Sequence, residues 1–420
     1  MRLMSSTTVS LLLLLLILTA CVLGNSAPDS LLPTQERLVL QERISRVENG
    51  LLRSNSNGQQ GSTVRLADRM AFYKTPGVSI AVINDGKLEW ARGYGVLEAG
   101  SSAPVTTATL FQACSISKPI AAMAALSLME RGKVDLDEDV NQKLRSWKIP
   151  PSEFTKEQKV TLRRLLSHTA GTTVSGLRGY AFDEQLPTLP QILDGVKPAN
   201  SEPVRIDAVP GTQWRYSGGG FLVLQQLLID VQRKPFPEIM RELVLQKLEM
   251  KQSTYEQPLP LRLKAQAAKG HQQNGAKVKG DWFIYPEMAA GGLWTTPSDL
   301  ARIVIELQQA KAGRSRRVLS RQMVNEMLSD QMPNFPVAMV SERYGRPIRN
   351  QGLGFRLEGE GRAARFSHHG GNTGYRCFIV AYNDLGQGAV VMTNSDNGFE
   401  LVQEIVRSIA KEYGWPDYPF

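Results

Sequence analysis

Apolar and polar residues alternate along this chain in patterns that predict its elements in turn. Leu38, Val39, Ile44, Val47 and Leu51 recur at the spacing of one helical face, which predicts an amphipathic helix over residues 34–52. The polar, glycine-bearing run RSNSNGQQGST (53–63) reads as a loop, and a short helix is expected around 64–73. The segments GVSIAVI and KLEWARGYGV then flank Asn84-Asp85-Gly86, residues that tolerate positive φ, so a β-hairpin is expected there. Near the other end RCFIVAY and GAVVMTN flank Asn383-Asp384-Leu385-Gly386, a second hairpin. A helix from about Glu400 to Tyr413 follows. Between these ends, residues 115–330 carry helical periodicities and loops with few strand signals, and prolines crowd 185–260 as surface loops would require. Strands at both ends around a helical middle predict an α/β fold: one antiparallel sheet built from both termini, flanked by helices, with a mostly helical domain inserted. There is no internal repeat.

Composition changes this picture little. With 420 residues, 42% of them hydrophobic, the chain can bury a large core, and its length alone would suit two or three domains. The formal charge of +9 is scattered, with no basic module, and reads as a solvated surface and not as a nucleic-acid partner site.

The N-terminus changes it more. MRLMSSTTVSLLLLLLILTAC has a short basic start and a leucine run too short to span a bilayer, the shape of a secretory signal over residues 1–20. Its end, Leu18-Thr19-Ala20-Cys21, resembles the bacterial lipobox, which implies lipidation of Cys21 and an exported protein anchored to a membrane. Residues 21–63 then form a tether and the amphipathic helix. Residues 64–418 form the main domain, its sheet part about 64–114 and 286–418 and its helical part about 115–285. Only Cys114 and Cys377 remain after Cys21; a bridge between them is conceivable, though buried free thiols are common.

Three stretches carry candidate chemistry. In FQACSISKPIAAMAAL (111–126), Ser115 stands three residues before Lys118 at the head of an apolar helix. Residues three apart share a helical face. In the first turn, Ser115 would lie at the positive end of the helix dipole, and Pro119 fits there because its missing N–H costs little. A lysine buried among apolar groups is pushed toward the neutral amine, a competent base for the serine. In PGTQWRYSGGGFLVLQQLL, Tyr216 precedes three glycines and a helix, placed to shuttle a proton beside an ammonium. In SHHGGNTGYRCFIV, His368, His369, Gly370 and Gly371 stand before a strand, and the N–H of Gly371 can pair with that of Ser115 as an oxyanion hole. Adjacent strand residues face opposite sides and no ligand-spaced partner accompanies the two histidines, so no metal site is expected.

Taken in order, Ser-x-x-Lys, Tyr-Ser-x and His-x-Gly resemble the serine β-lactamase and penicillin-binding-protein superfamily. The chain looks most like its class C β-lactamase-related serine hydrolases, which include family VIII carboxylesterases and D-aminopeptidase or D-alanyl-D-alanine carboxypeptidase relatives. PGVSIAVINDGKLEWARGYG, LRRLLSHTAG, AAGGLWTTPSDLAR and VVMTNSDNG extend the likeness over roughly 64–416. The resemblance implies an acylated Ser115, Lys118 as the group that helps deprotonate it, Tyr216 as the proton relay and Gly371 as the second oxyanion donor. It places His368, with His369 and Gly370, where a substrate is held, and makes His168 a structural residue capping a turn before Gly171. It implies no cofactor, and a small ester, amide or peptide as substrate.

Two departures bear on that substrate. Gly218 stands at the substrate-binding position where the second motif usually ends in asparagine, so substrate is expected to pass against it while no side chain can hold an acylamide. His-His-Gly replaces Lys-Thr-Gly, so no fixed cation faces a substrate carboxylate. Both favour ester or amide hydrolysis over β-lactam or D-Ala-D-Ala cleavage. A peptidoglycan-directed peptidase, a weak β-lactamase and a non-catalytic penicillin-binding-like envelope protein are the rivals. The absence of Gly-x-Ser-x-Gly and of His-Glu-x-x-His disfavours an α/β-hydrolase esterase and a zinc hydrolase. GDWFIYPE (280–287) and residues 334–352 are candidate cleft walls.

Overall fold

The computed structural model of the chain describes residues 34–52, 63–332 and 350–419. The signal segment, Cys21 and nearly all of the 334–352 wall therefore lie outside the described residues. Two compact units are distinguished, Met1–Ser45 and Arg46–Phe420. The first is described along residues 34–45, which are helical and belong to α1 (Thr34–Asn49). Among the described residues no helix is long and apolar enough to cross a membrane.

In the second unit, α2 (Leu66–Phe72) leads into the first expected hairpin, β1 (Gly77–Asn84) and β2 (Lys87–Gly95). Asp85 and Gly86 both take positive φ, which is why this Asn-Asp-Gly turn was legible. A long excursion follows, containing α3 (Ser117–Met129), α4 (Leu162–Leu166), α5 (Gly218–Gln232), α6 (Met288–Gly291) and α7 (Pro297–Lys311). The chain then returns as β3 (Asn350–Gln351), β4 (Arg356–Glu358), β5 (Arg365–Asn372), β6 (Tyr375–Tyr382) and β7 (Gly388–Thr393), and runs into α8 (Gly398–Glu412). The sheet order is β2-β1-β7-β6-β5-β4-β3, with every pairing antiparallel.

The strands β1, β6 and β7 are apolar on both faces because both are covered. Ala81, Ile83, Cys377, Ile379, Val390 and Met392 join the main core with α3 and α7. The alternate residues of β1, β6 and β7 face the other way, where α8 packs on β6 and β7. Thus Ser115 and α3 lie on one side of the sheet and α8 on the other. The strand pair Leu51–Leu52 with Thr63–Val64 falls within the second unit and not with a separate tether.

Candidate active site

Ser115 sits in a 3₁₀ turn, Cys114–Ile116, that runs directly into α3. The turn is sharp: Cys114 holds a left-handed φ of 53°, unusual for a residue with a side chain. Several bonds hold it there. Ser117 Oγ donates to Cys114 O at 2.6 Å and accepts from Leu293 N–H at 3.1 Å. Ala113 N–H donates to Leu293 O at 2.8 Å, and Tyr255 Oη donates to Ser117 O at 2.9 Å.

One helical step on, Lys118 is buried in an almost wholly apolar helix. Its Nζ lies 3.1 Å from Ser115 Oγ and 2.7 Å from Ala290 O on α6. The expected Ser–Lys pair is therefore in direct contact, and α6 fixes its direction. Nζ also stands over the rings of Tyr216 and Phe221, 5.0 and 5.8 Å from their centroids, within cation–π range. Tyr216 thus lies against the pair.

His168 does more than cap a turn. Its backbone, at a φ of 61°, accepts Arg215 N–H at 2.9 Å, and its Nδ1 accepts Ser217 N–H at 3.2 Å. Its ring packs on Tyr216 with centroids 4.5 Å apart. Backbone and side chain together, one residue grips the neighbours on either side of Tyr216 and one face of the tyrosine itself. Burial first, then the charge of Lys118, holds its imidazole far below its usual range, so the ring is neutral and Nδ1 keeps its lone pair.

The strand β5 runs past the serine turn. Gly370 lies where a Cβ would overlap Cys377 Sγ and stand 2.6 Å from Ala113 O, so only glycine lets the strand approach. Gly371 beside it is exposed. Asn372 ends the strand by donating to Gln112 Oε1 at 2.7 Å and to Gly291 O at 3.1 Å, while Gln112 Nε2 reaches Phe283 O at 2.8 Å. This amide network, which the motifs did not reveal, ties β5, α6 and the 283–287 wall together. Tyr285 contributes to that wall by accepting Thr373 N–H at 3.3 Å.

The two adjacent histidines part company, and the expectation that both meet substrate is corrected for one. His368 is buried on the site side, its ring centroid 6.4 Å from that of Tyr216. Its Nδ1 lies 2.6 Å from His369 O, so Nδ1 carries the proton and Nε2 is an acceptor. Burial and then Lys118 press its pKa down to about 3. His369 faces the opposite side of the sheet, stacked on Phe378 at 4.1 Å and packed against Phe399 of α8. Strand alternation sends it there. Gly218 also departs from its expected role. Its N–H is given to Ser175 O, and Leu177 sits 3.1 Å from where a Cβ would stand, so it starts α5 and has no donor left for a substrate. Cys114 and Cys377 are free thiols, both buried, the second donating to Ala113 O at 3.0 Å.

Glu287 has no sequence signal of its significance. It is fully buried immediately before α6, and neither carboxyl oxygen has a hydrogen-bond partner among the described residues. Burial pushes its pKa up to about 8.

These shifts give the fold an acid limit. His168, His368 and His369 all titrate below the ordinary 6.5, so the unfolded chain takes up protons that the folded chain refuses. Their stability is whole above about pH 6.5 and is lost as pH falls toward about 3, at up to roughly 1.4 kcal/mol per pH unit for each group. Urea midpoints are expected to drop steeply between pH 7 and pH 5; a flat profile there would contradict the burial of these rings. Glu287 acts with the opposite sign, its share being lost as pH rises from about 4.5 to about 8.

Comparison with known proteins matches this geometry to a family. The beta-lactamase family model matches residues 65–412. The teichoic acid D-alanine hydrolase of Staphylococcus aureus is 23% identical over 342 residues, covering 80% of this chain and 74% of that protein. Penicillin-binding protein 4 of Amycolatopsis lactamdurans is 24% identical over 351 residues, covering 81% and 86%. Among solved structures, the octameric penicillin-binding protein homologue from Pyrococcus abyssi superposes with a TM-score of 0.66 at 23% identity, over 83% of this chain and 76% of that one. The beta-lactamase/D-alanine carboxypeptidase from Yersinia pestis gives 0.66 at 18% identity, over 83% and 97%. At these identities the superpositions speak for the fold.

Proposed function

The chain belongs to the beta-lactamase family and is a serine hydrolase of it, and from that premise we propose that it cleaves small esters or amides through an acyl-enzyme on Ser115. The contact between Lys118 Nζ and Ser115 Oγ at 3.1 Å carries this reading. Lys118 takes the serine proton as Oγ attacks the substrate carbonyl. The N–H groups of Ser115 and Gly371 hold the oxyanion. Tyr216, fixed by His168, passes the proton to the leaving group, and water then releases the acyl group.

His368 favours esters. A neutral ring presenting Nε2 as an acceptor suits a hydroxyl or N–H of the substrate and gives a carboxylate nothing to bind. On the same hairpin Arg376 is already paired with Asp396 at 2.9 Å. Penicillins and peptides ending in D-Ala carry such a carboxylate. The S. aureus relative's name denotes hydrolysis of D-alanine from teichoic acid, and a D-alanyl ester carries a small acyl group and no free carboxylate. The proposed setting is the cell envelope, with the chain exported by residues 1–20 and anchored through Cys21. The proposed domain division is a sheet part about 64–114 and 286–418 around a helical part about 115–285.

Intact-mass labelling with a fluorophosphonate and, separately, with a penicillin tests the reading, with Ser115→Ala as control. Labelling of the wild type by the fluorophosphonate alone is expected. Stable penicillin adducts would move the assignment to a peptidoglycan-directed enzyme, and no labelling of folded protein by either reagent would end the hydrolase mechanism at Ser115.

A further inference from the structure

Glu287 is a costly residue to keep. A carboxyl with no exposed surface and, among the described residues, no hydrogen bond to either oxygen is rare in folded proteins, where nearly all buried polar atoms are satisfied. Such an orphan asks for a partner that arrives from outside.

Its position says where that partner comes from. Glu287 O accepts the N–H groups of Ala290 and Gly291 at 3.1 and 2.9 Å, so the residue is one helical turn from the carbonyl that holds Lys118. Gln225 on α5 brackets it: Oε1 accepts Ala289 N–H at 2.9 Å and Nε2 donates to Pro286 O at 3.1 Å. That amide is spent on the backbone around the glutamate, and it holds the segment without satisfying the acid. The ionisable groups that sense Glu287 are Arg178 and the phenols of Tyr180 and Tyr285. Arg178 is bound to Glu184 at 2.6 Å, half exposed, and so is already neutralised by another carboxylate. Burial holds both phenols above their ordinary 10, so they stay neutral and offer no charge to pair with the acid. No group of three His, Cys, Asp or Glu suited to a metal ion occurs among the described residues, so a lone carboxyl here fits a single organic cation.

We propose that Glu287 is the receptor for the α-ammonium of an aminoacyl substrate, which makes the acyl group that of a small α-amino acid with a free amine. This rests on the acyl-enzyme reading and deepens it. The ammonium ion-pairs with a carboxylate that is fully buried, where a charge pair with hydrogen bonds is strong. Before substrate arrives the acid is protonated at neutral pH, so binding releases a proton. Acylating the amine removes the charge and all but one N–H donor and adds bulk, so the ion pair with the acid is lost, a loss that sites built around a specific polar partner penalise heavily.

The experiment compares p-nitrobenzyl esters of D-alanine, N-acetyl-D-alanine and butyric acid on the full-length protein. Wild type is expected to show a kcat/KM for the free-amine ester at least about tenfold above that of the acetylated one. In Glu287→Gln, an isosteric and neutral change, that ratio is expected to collapse toward one; taking the ratio cancels any general damage to the variant. Isothermal titration in two buffers of different ionisation enthalpy, with D-alaninamide as the probe on the Ser115→Ala protein, is expected to show proton release on binding. Butyryl turnover without any amine preference in wild type would overturn this inference alone. An unchanged ratio in Glu287→Gln would also overturn it. No turnover of any ester and no fluorophosphonate labelling would overturn the acyl-enzyme reading and this inference with it.

Discussion

Lys118→Met is expected to lower kcat on a short ester by about a thousandfold while the protein still folds. The size follows from what a positioned general base contributes, about 10²–10⁴ in rate. Methionine keeps the linear side chain that fills α3's buried flank but removes the amine 3.1 Å from Ser115 Oγ. It also strips Ala290 O of its donor, leaving a buried carbonyl at a cost of about 1–3 kcal/mol, so melting falls without collapsing. Lys118→Arg separates two explanations. Arginine keeps the charge but cannot lose its proton, so it is expected to be as inactive as methionine. An active Lys118→Arg would mean that the group serves only as a cation. Steady-state kinetics with circular dichroism and fluorophosphonate labelling of each variant decides the matter.

Gly370→Ala is expected to destabilise the protein by about 1–3 kcal/mol, the cost of overpacking a tight interior, and to abolish most turnover. The added methyl would meet Cys377 Sγ, Ala113 O and, at 3.0 Å, Cys114 Cβ. Two of those groups belong to the residues just before Ser115, so the strain is delivered to the serine turn. Gly371→Ala, one residue along, is the control. Its methyl would find Arg376 at 3.6 Å, an ordinary contact on an exposed position, so stability should stay within about 0.5 kcal/mol. Cys377→Ala added to Gly370→Ala should return only part of the loss, because the clash with Ala113 O is with backbone. Chemical denaturation of the four proteins checks this; equal stability for the two alanine variants would refute the close approach of β5 to the serine turn.

What could be read from the sequence were the local signals. Both hairpins announced themselves because Asn-Asp-Gly and Asn-Asp-Leu-Gly turns interrupt apolar strands. Ser115 and Lys118 could be paired because helical spacing is fixed. Strand alternation already held the message that His368 and His369 face opposite ways, yet the motif drew both toward the substrate. The rest depends on what lies across space. That β1 pairs with β7 is a contact between distant segments. That His168 holds Tyr216 depends on a loop crossing about 50 residues away in sequence, as the separation of its bond to Ser217 shows. Glu287 reads as an ordinary surface charge after a proline, and only burial reveals it.

The pairing of β1 with β7 sets a timetable. Val78 lies opposite Thr393, so the first hairpin waits for about 300 further residues before its partner strand exists. At ribosomal speeds of roughly 5–20 residues per second that is a delay of tens of seconds. β5, which carries Gly370 against the serine turn, is also made late, so a nascent chain holds its serine without the walls that would arm it. The nascent chain is therefore inert by order of synthesis, and hydrolytic competence begins when the last strands arrive.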